Sequence, residues 1–239
     1  MTTLAYQSDP ARKAGIMAAM RADIAADRLV KGQYWQHSKG CAIGCLVHGS
    51  SHDDAADLVG MPIEIAGLFD AIFEGLPNGE AQAWPVDFLD AIQPGADLSL
   101  VWPRWAHWLL TEEIAAAAAK DQGCAKAVAD VAALLAKWIE NNQPAAAARW
   151  TEAARAAAGA AARWATGAAC AAARWATGAA GAAARAPEAA EAARAPEAAE
   201  AARAPAAAWA AARTARAASY QRQADKLLAL LRSAPVPTS

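Results

Sequence analysis

Ala165-Thr166-Gly167-Ala168-Ala169-Cys170-Ala171-Ala172-Ala173-Arg174 recurs eleven residues later, from Ala176 to Arg185, with Gly181 in place of Cys170. Alanine is the strongest helix former. Three α-helical turns take about 10.8 residues, so an eleven-residue repeat stays close to one helix face and drifts by about 20° per copy. Arg163, Arg174 and Arg185 keep this spacing, with Trp164 beside the first and Trp175 beside the second. The stretch reads as helix with an arginine and tryptophan face.

Downstream the period changes. Ala186-Pro187-Glu188-Ala189-Ala190-Glu191-Ala192-Ala193-Arg194 recurs identically from Ala195 to Arg203. Nine residues make two and a half turns, so successive copies would face opposite sides of a straight helix. Each copy carries a proline, which removes a helix hydrogen bond and disfavours α geometry in the residue before it. Pro187, Pro196 and Pro205 are therefore expected to start short helices or to kink a longer one. Beyond them, Tyr220, Ala224, Leu227, Leu228 and Leu231 form a large-residue stripe that needs burial. The stripe is expected to dock on the arm, the head or a second chain; the alanine faces carrying Trp164, Trp175 and Trp209 are the nearest apolar surface, and the arm is expected to fold back.

Upstream the larger apolar residues return. Asp9-Pro10 is a capped helix start, and Ile16, Met17, Met20 and Ile24 follow at helical spacing, with Asp23 and Asp27 assigned to the polar side. Gly32 is expected to close that helix. A second helix is expected from about Ser38 towards Gly60, a third from Ile63 to the Gly75–Gly79 turn. A further helix is expected to open at Trp84-Pro85 and one at Pro103, with Thr111 capping the next. A last head helix carries Val128 to Ile139. No run of alternating β-branched residues predicts a sheet. The fold class is all-α: a compact helical head over 1–143, an alanine-rich helical repeat arm over 144–218 with coiled-coil-like character, and a capping helix with a short disordered tail over 219–239.

The formal net charge is −2. Between Pro144 and Ser219 stand nine Arg and five Glu, so the arm is near +4 and the remainder near −6. That balance does not describe a generally basic nucleic-acid binder. Stacking rings beside arginines are how single strands are held, so nucleic-acid contact through the Arg163–Arg185 face is an alternative, but three arginines are a thin footprint. Four cysteines in a chain this long do not make a disulfide framework. The first residues lack the basic and apolar pattern of a secretory signal, and no apolar run predicts a membrane span. A cytoplasmic location is expected.

His37, Cys41, Cys45, His48 and His52 fall at spacings of four, four, three and four. Cys41, Cys45 and His48 are the candidates for a cysteine- or metal-dependent enzyme. A straight helix offers only two neighbouring ligands to one ion, and no third group to orient a thiol–histidine pair is identifiable. The same spacing permits close packing instead. Gly40 and Gly44 are expected at a tight helix contact, and Gly44→Leu is expected to overpack it. No metal site and no cofactor are assigned. Trp102, Trp105 and Trp108 are read as core, and Glu112 and Glu113 as a helix first turn.

Leu4-Ala5-Tyr6-Gln7-Ser8-Asp9-Pro10, Gly40-Cys41-Ala42-Ile43-Gly44-Cys45-Leu46, Phe73-Glu74-Gly75-Leu76-Pro77, Gly95-Ala96-Asp97-Leu98 and Ala224-Asp225-Lys226-Leu227-Leu228 resemble a group of uncharacterised bacterial and prophage-encoded proteins. That group shares a helical head and an alanine-rich repeat tail of variable length, and the resemblance implies no activity, substrate or cofactor. The expected function is non-enzymatic: the head recognises a partner, another protein or a second copy, and the arm spaces or multimerises it.

Overall fold

The computed structural model describes residues 4–120, 122–154 and 206–238, and the protein is all-α. Among the described residues β-type pairing is limited to two isolated bridges, Leu29 with Gly40 and Gln36 with Lys39. The chain divides into two units, Met1–Trp102 with Ala204–Ser239, and Pro103–Arg203. The first unit is thus made of both ends of the chain. The sequence-based boundary at 143/144 falls inside the second.

The first unit starts with an unusual turn. Tyr6, Gln7 and Ser8 all have φ between 52° and 60°, a left-handed stretch that non-glycine residues adopt only when their surroundings hold them there. The surroundings are specific. The Ala5 N–H donates to Ala96 O and the Gly95 N–H donates to Ala5 O. The fully buried Tyr6 donates its hydroxyl to Leu89 O at 2.8 Å. Helix α1 (Pro10–Ala25) follows, its N-terminus capped by Asp9, which accepts from the Ala11 N–H.

From Ala26 to Cys41 the chain is a compact loop. Val30 N–H donates to Gly40 O and Gly40 N–H to Arg28 O, while Gln36 and Lys39 close a tight turn around His37 and Ser38. The second helix is therefore much shorter than its spacing predicts: α2 is Ala42–Val47, and α3 (His52–Val59) is separate. Glycine and positive-φ residues favour turns here over one continuous helix. Gly40 and Gly44 do sit at a close approach, but the neighbour is the loop backbone. A Cβ on Gly44 would lie 3.0 Å from Trp35 N, and one on Gly40 3.2 Å from it. Gly44→Leu is accordingly expected to cost about 1–3 kcal/mol, read as a lowered denaturation midpoint.

Ser51 caps α3 by accepting from Asp54 N–H, and Gly60 ends it at φ +76°. Helix α4 (Ile63–Gly75) and helix α5 (Asn78–Ala91) are joined by Leu76-Pro77 alone. Pro85 lies inside α5 and does not open it. The flanking side chains explain why the helix runs on: Phe69 packs on Phe88 at 4.5 Å between ring centroids, and Trp84 donates its indole N–H to Phe69 O at 2.9 Å. Burying these rings offsets one lost backbone bond. The core of this unit is Tyr6, Met20, Leu29, Ile43, Ile65, Phe69, Ile72, Phe73, Phe88 and Leu89, each under 2% exposed or close to it.

The C-terminal helix, Ala206–Arg232, packs against α4 and α5. Ala224, Leu227 and Leu231 are buried there, and the Tyr220 ring lies directly on Gly75, where any Cβ would enter it. After the helix, Asp97 N–H donates to Pro235 O at 2.8 Å, joining the tail to the turn that holds Ala5. Of the three surfaces expected for the stripe, the head is the one it meets, and not the nearer alanine faces. The leucine stripe is part of the head, because α4 and α5 supply large apolar partners that alanine cannot match in area.

In the second unit, helix α6 (Val101–Trp108), which begins at the junction, runs on as a π-helical turn, Leu109–Glu113. Thr111 donates its hydroxyl to His107 O, so it is not the cap its sequence predicts, and Glu112 and Glu113 lie in that turn. Short α7 (Ala115–Ala118), α8 (Gln122–Asn141) and a helical stretch over 147–154 follow. Trp138 meets the fully buried Trp150 edge-on at 6.0 Å. Trp102 and Trp105 are buried, and Trp108 is half-buried. Arg163, Trp164, Arg174, Trp175, Arg185, Pro187, Pro196 and Pro205 lie outside the described residues, which resume at Ala206, the first residue of the C-terminal helix.

Candidate functional site

The histidines and cysteines that the sequence singles out do not share one helix face. His37 is exposed in the Gln36–Lys39 turn, with φ +52°. Cys41 caps the start of α2, and Cys45 lies one turn into it. His48 ends α2 in a left-handed conformation, φ 48°, and that reversal sends His48 and His52 in different directions. The chain turns back at His48, one residue before Gly49. Two clusters result, one on each side of α2.

The first is centred on Asp23 of α1. Its carboxylate is buried, with the side chain 4% exposed. It accepts from Arg28 Nη1 at 2.9 Å and meets His48 Nε2 at 2.9 Å. The Trp35 ring stacks on the His48 imidazole, 4.1 Å between centroids at 19°. Burial alone would raise the Asp23 carboxyl, but the hydrogen bonds and charges of His48 and Arg28 outweigh it and hold the group below its usual value. Its charge alone predicts a place for Asp23 off the apolar stripe of α1. Its position three residues after Met20 places it on the buried stripe, the signal that was available in the spacing.

A group whose folded value is depressed contributes stability above its unfolded value, about 4 for a carboxylate, and loses it as pH falls through the lower folded value. Asp23→Asn is therefore expected to destabilise the head by about 1–3 kcal/mol at neutral pH. That gap should narrow as the pH is lowered from about 5 towards 2. Chemical denaturation across this range measures it, and a gap that does not change with pH would contradict the role given to the carboxylate.

The second cluster joins α2, α3 and α4. Cys41 Sγ and carboxylate oxygens of Asp70 and Glu74 all lie within 4.8 Å of one another. Asp70 and Glu74 are four apart on α4, which puts both on one face. His52 Nε2 stands 3.5 Å from Asp70 Oδ2, and the Tyr34 ring meets His52 edge-on at 5.9 Å. Asp70 Oδ1 is buried without a hydrogen-bond partner. Glu74 accepts the Gly32 N–H with both oxygens, at 2.9 and 3.1 Å. Consecutive loop residues Tyr34 and Trp35 thus each lay a ring against one of the two histidines.

Neither thiol is activated in this state. Burial pushes the Cys41 thiol up to about 12; the Gly44 N–H opposes that rise, and the facing Asp70 adds to it. Burial likewise pushes Cys45 up to about 12, with Asp23 opposing its ionisation. A nucleophilic thiol needs the reverse, a lowered value in an electropositive and accessible setting. Cys41, Cys45 and His48 do not assemble as a triad: Cys41 faces Asp70, whereas Cys45 and His48 belong to the Asp23 side. Cys124 is also a buried free thiol. A cleft of about 230 Å³, lined by Gly15, Ile16, Ala19, Met20, Cys45 and Leu58 among others, opens between α1 and α2.

Neither a protein-family model nor a curated protein nor a solved structure matches the chain. No helix among the described residues is long and apolar enough to cross a membrane.

Proposed function

We propose that the protein is a non-enzymatic interaction protein, phage- or prophage-associated and cytoplasmic, whose head recognises a partner and whose alanine-rich segment spaces or multimerises it. One observation carries the reading. The chain leaves the first unit at Trp102 and rejoins it at Ala204, so the repeat segment is an insertion anchored at both ends. Lengthening such an insertion costs little in loop entropy, about 0.6 kcal/mol per doubling. Repeats can then vary in number while the head keeps its fold. The raised values of Cys41 and Cys45 count against a thiol nucleophile at these two positions. The partner chemistry that suits the segment is a protein surface with acidic groups for Arg163, Arg174 and Arg185 and apolar faces for Trp164 and Trp175, and a second copy of this chain, acidic outside the insertion, supplies it.

Light scattering coupled to size exclusion tests this on the full chain. The expected result is an oligomer that dissociates when Arg163, Arg174 and Arg185 are all replaced by Ala, with the head's thermal midpoint unchanged. A monomer at every concentration would overturn self-association. An oligomer of the same mass after the triple replacement would overturn the arginine face.

A further inference from the structure

We infer that Cys41, Asp70 and Glu74 form a binding site for a divalent metal, Zn²⁺ by its donor set, and that His52, which stands beside Asp70 but outside the 4.8 Å group, turns in as the fourth donor when the ion binds. Three observations lead there. Three donors from two separate helices already fall within 4.8 Å of one another. Drawing them onto one ion at about 2.0–2.3 Å requires side-chain adjustments but no rearrangement of the helices. Asp70 Oδ1 is buried without a hydrogen-bond partner, which is costly unless something else satisfies it. The 3.5 Å separation of His52 Nε2 from Asp70 Oδ2 is long for a hydrogen bond. It is close to the edge of a tetrahedral zinc site, about 3.3 Å between oxygen and nitrogen ligands.

The surrounding groups suit a ligand set. The Gly32 N–H held by both Glu74 oxygens leaves lone pairs free on each, so it orients the carboxylate, as partners behind a metal ligand do. The Tyr34 ring does the same for His52. A thiolate and two carboxylates bring three negative charges to an ion carrying two positive ones. Lys31, whose Nζ donates to Leu76 O and lies 3.4 Å from Glu74 O, offsets the remainder. One thiolate and one imidazole beside two carboxylates favour zinc over the all-oxygen preference of calcium or magnesium. Binding replaces the Cys41 S–H bond by an S–Zn bond and releases the proton to solvent. Exposed Glu74 gives the ion its way in.

The site is separate from the interaction reading above and stands or falls without it. The test uses the full chain, stripped with a chelator and titrated with zinc chloride, and in parallel with cobalt(II) chloride. The expected result is one equivalent of zinc bound, a raised thermal midpoint, and a thiolate-to-cobalt charge-transfer absorption in the cobalt form. Glu74→Gln and Asp70→Asn should each weaken zinc by about 10-fold or more. Cys41→Ser should remove the charge-transfer absorption, and Cys45→Ser should leave it. No zinc uptake, a cobalt form of the unmodified chain without that absorption, or an absorption that survives Cys41→Ser would each overturn the site. Glu74→Gln, on the exposed rim, keeps the test decisive if Cys41→Ser fails to fold, since zinc affinity unchanged by it is also a contradiction.

Discussion

Leu227→Ala is expected to destabilise the head by about 2–5 kcal/mol, and Leu231→Ala by a similar amount. Both side chains are fully buried against the head, although more than 120 residues separate them from α4 and α5 in sequence. A domain of this size is stable by only about 5–15 kcal/mol. The double replacement should therefore leave the head mostly unfolded at room temperature, or lower its denaturation midpoint sharply. Leu228, half-buried on the same helix, should cost visibly less when cut to Ala. Circular dichroism during denaturant titration measures all three. Equal, small effects from the three leucines would mean that the helix is not docked as described.

Gly60→Ala is expected to cost on the order of 2–4 kcal/mol, combining a left-handed backbone that L-residues resist with steric overlap. At Gly60 φ is +76°, and a Cβ would stand 2.6 Å from Leu4 O and 3.3 Å from Ala5 Cα. The carbonyl is not free to move aside. Ala5 is fixed by two backbone bonds to Gly95 and Ala96, and Tyr6 by its bond to Leu89 O. The replacement should loosen the left-handed turn at Tyr6–Ser8 as well as α3. Near-ultraviolet circular dichroism and the denaturation midpoint read the two effects together. A midpoint within about 0.5 kcal/mol of the parent would contradict the packing of the N-terminal turn on Gly60.

The all-α class was legible from alanine content, helical spacing and the absence of strand-like alternation. So were the cap at Asp9, the core role of Trp102 and Trp105, and the tight approach at Gly40 and Gly44. What sequence could not give was the partner in each case. Gly44 meets loop backbone, because the chain from Ala26 to Cys41 bonds partly to itself and partly to Glu74, Gly49 and Gln82, and never becomes helical. The leucine stripe near Leu227 announced that it needed burial, but not that α4 and α5 would supply it, since contacts at long sequence separation leave no local periodicity. The candidate site shows the same division. Cys41, Cys45, His48 and His52 stood out by residue type and spacing. Their carboxylate partners Asp23, Asp70 and Glu74 did not, because acids are common on solvated helix faces. Only the i, i+4 spacing of Asp70 and Glu74, and the position of Asp23 beside Met20, marked them.

The C-terminal helix packs on α4 and α5 as part of the first unit, so the chain between Trp102 and Ala204 is an insertion in that unit. Native-state amide hydrogen exchange on the intact chain tests this packing most directly. With the helix so docked, amides over 222–231 open with the same free energy as those of α4 and α5, and Leu227→Ala lowers all three together. Exchange over 222–231 that is orders of magnitude faster than in α4 and α5, and indifferent to Leu227→Ala, would contradict it.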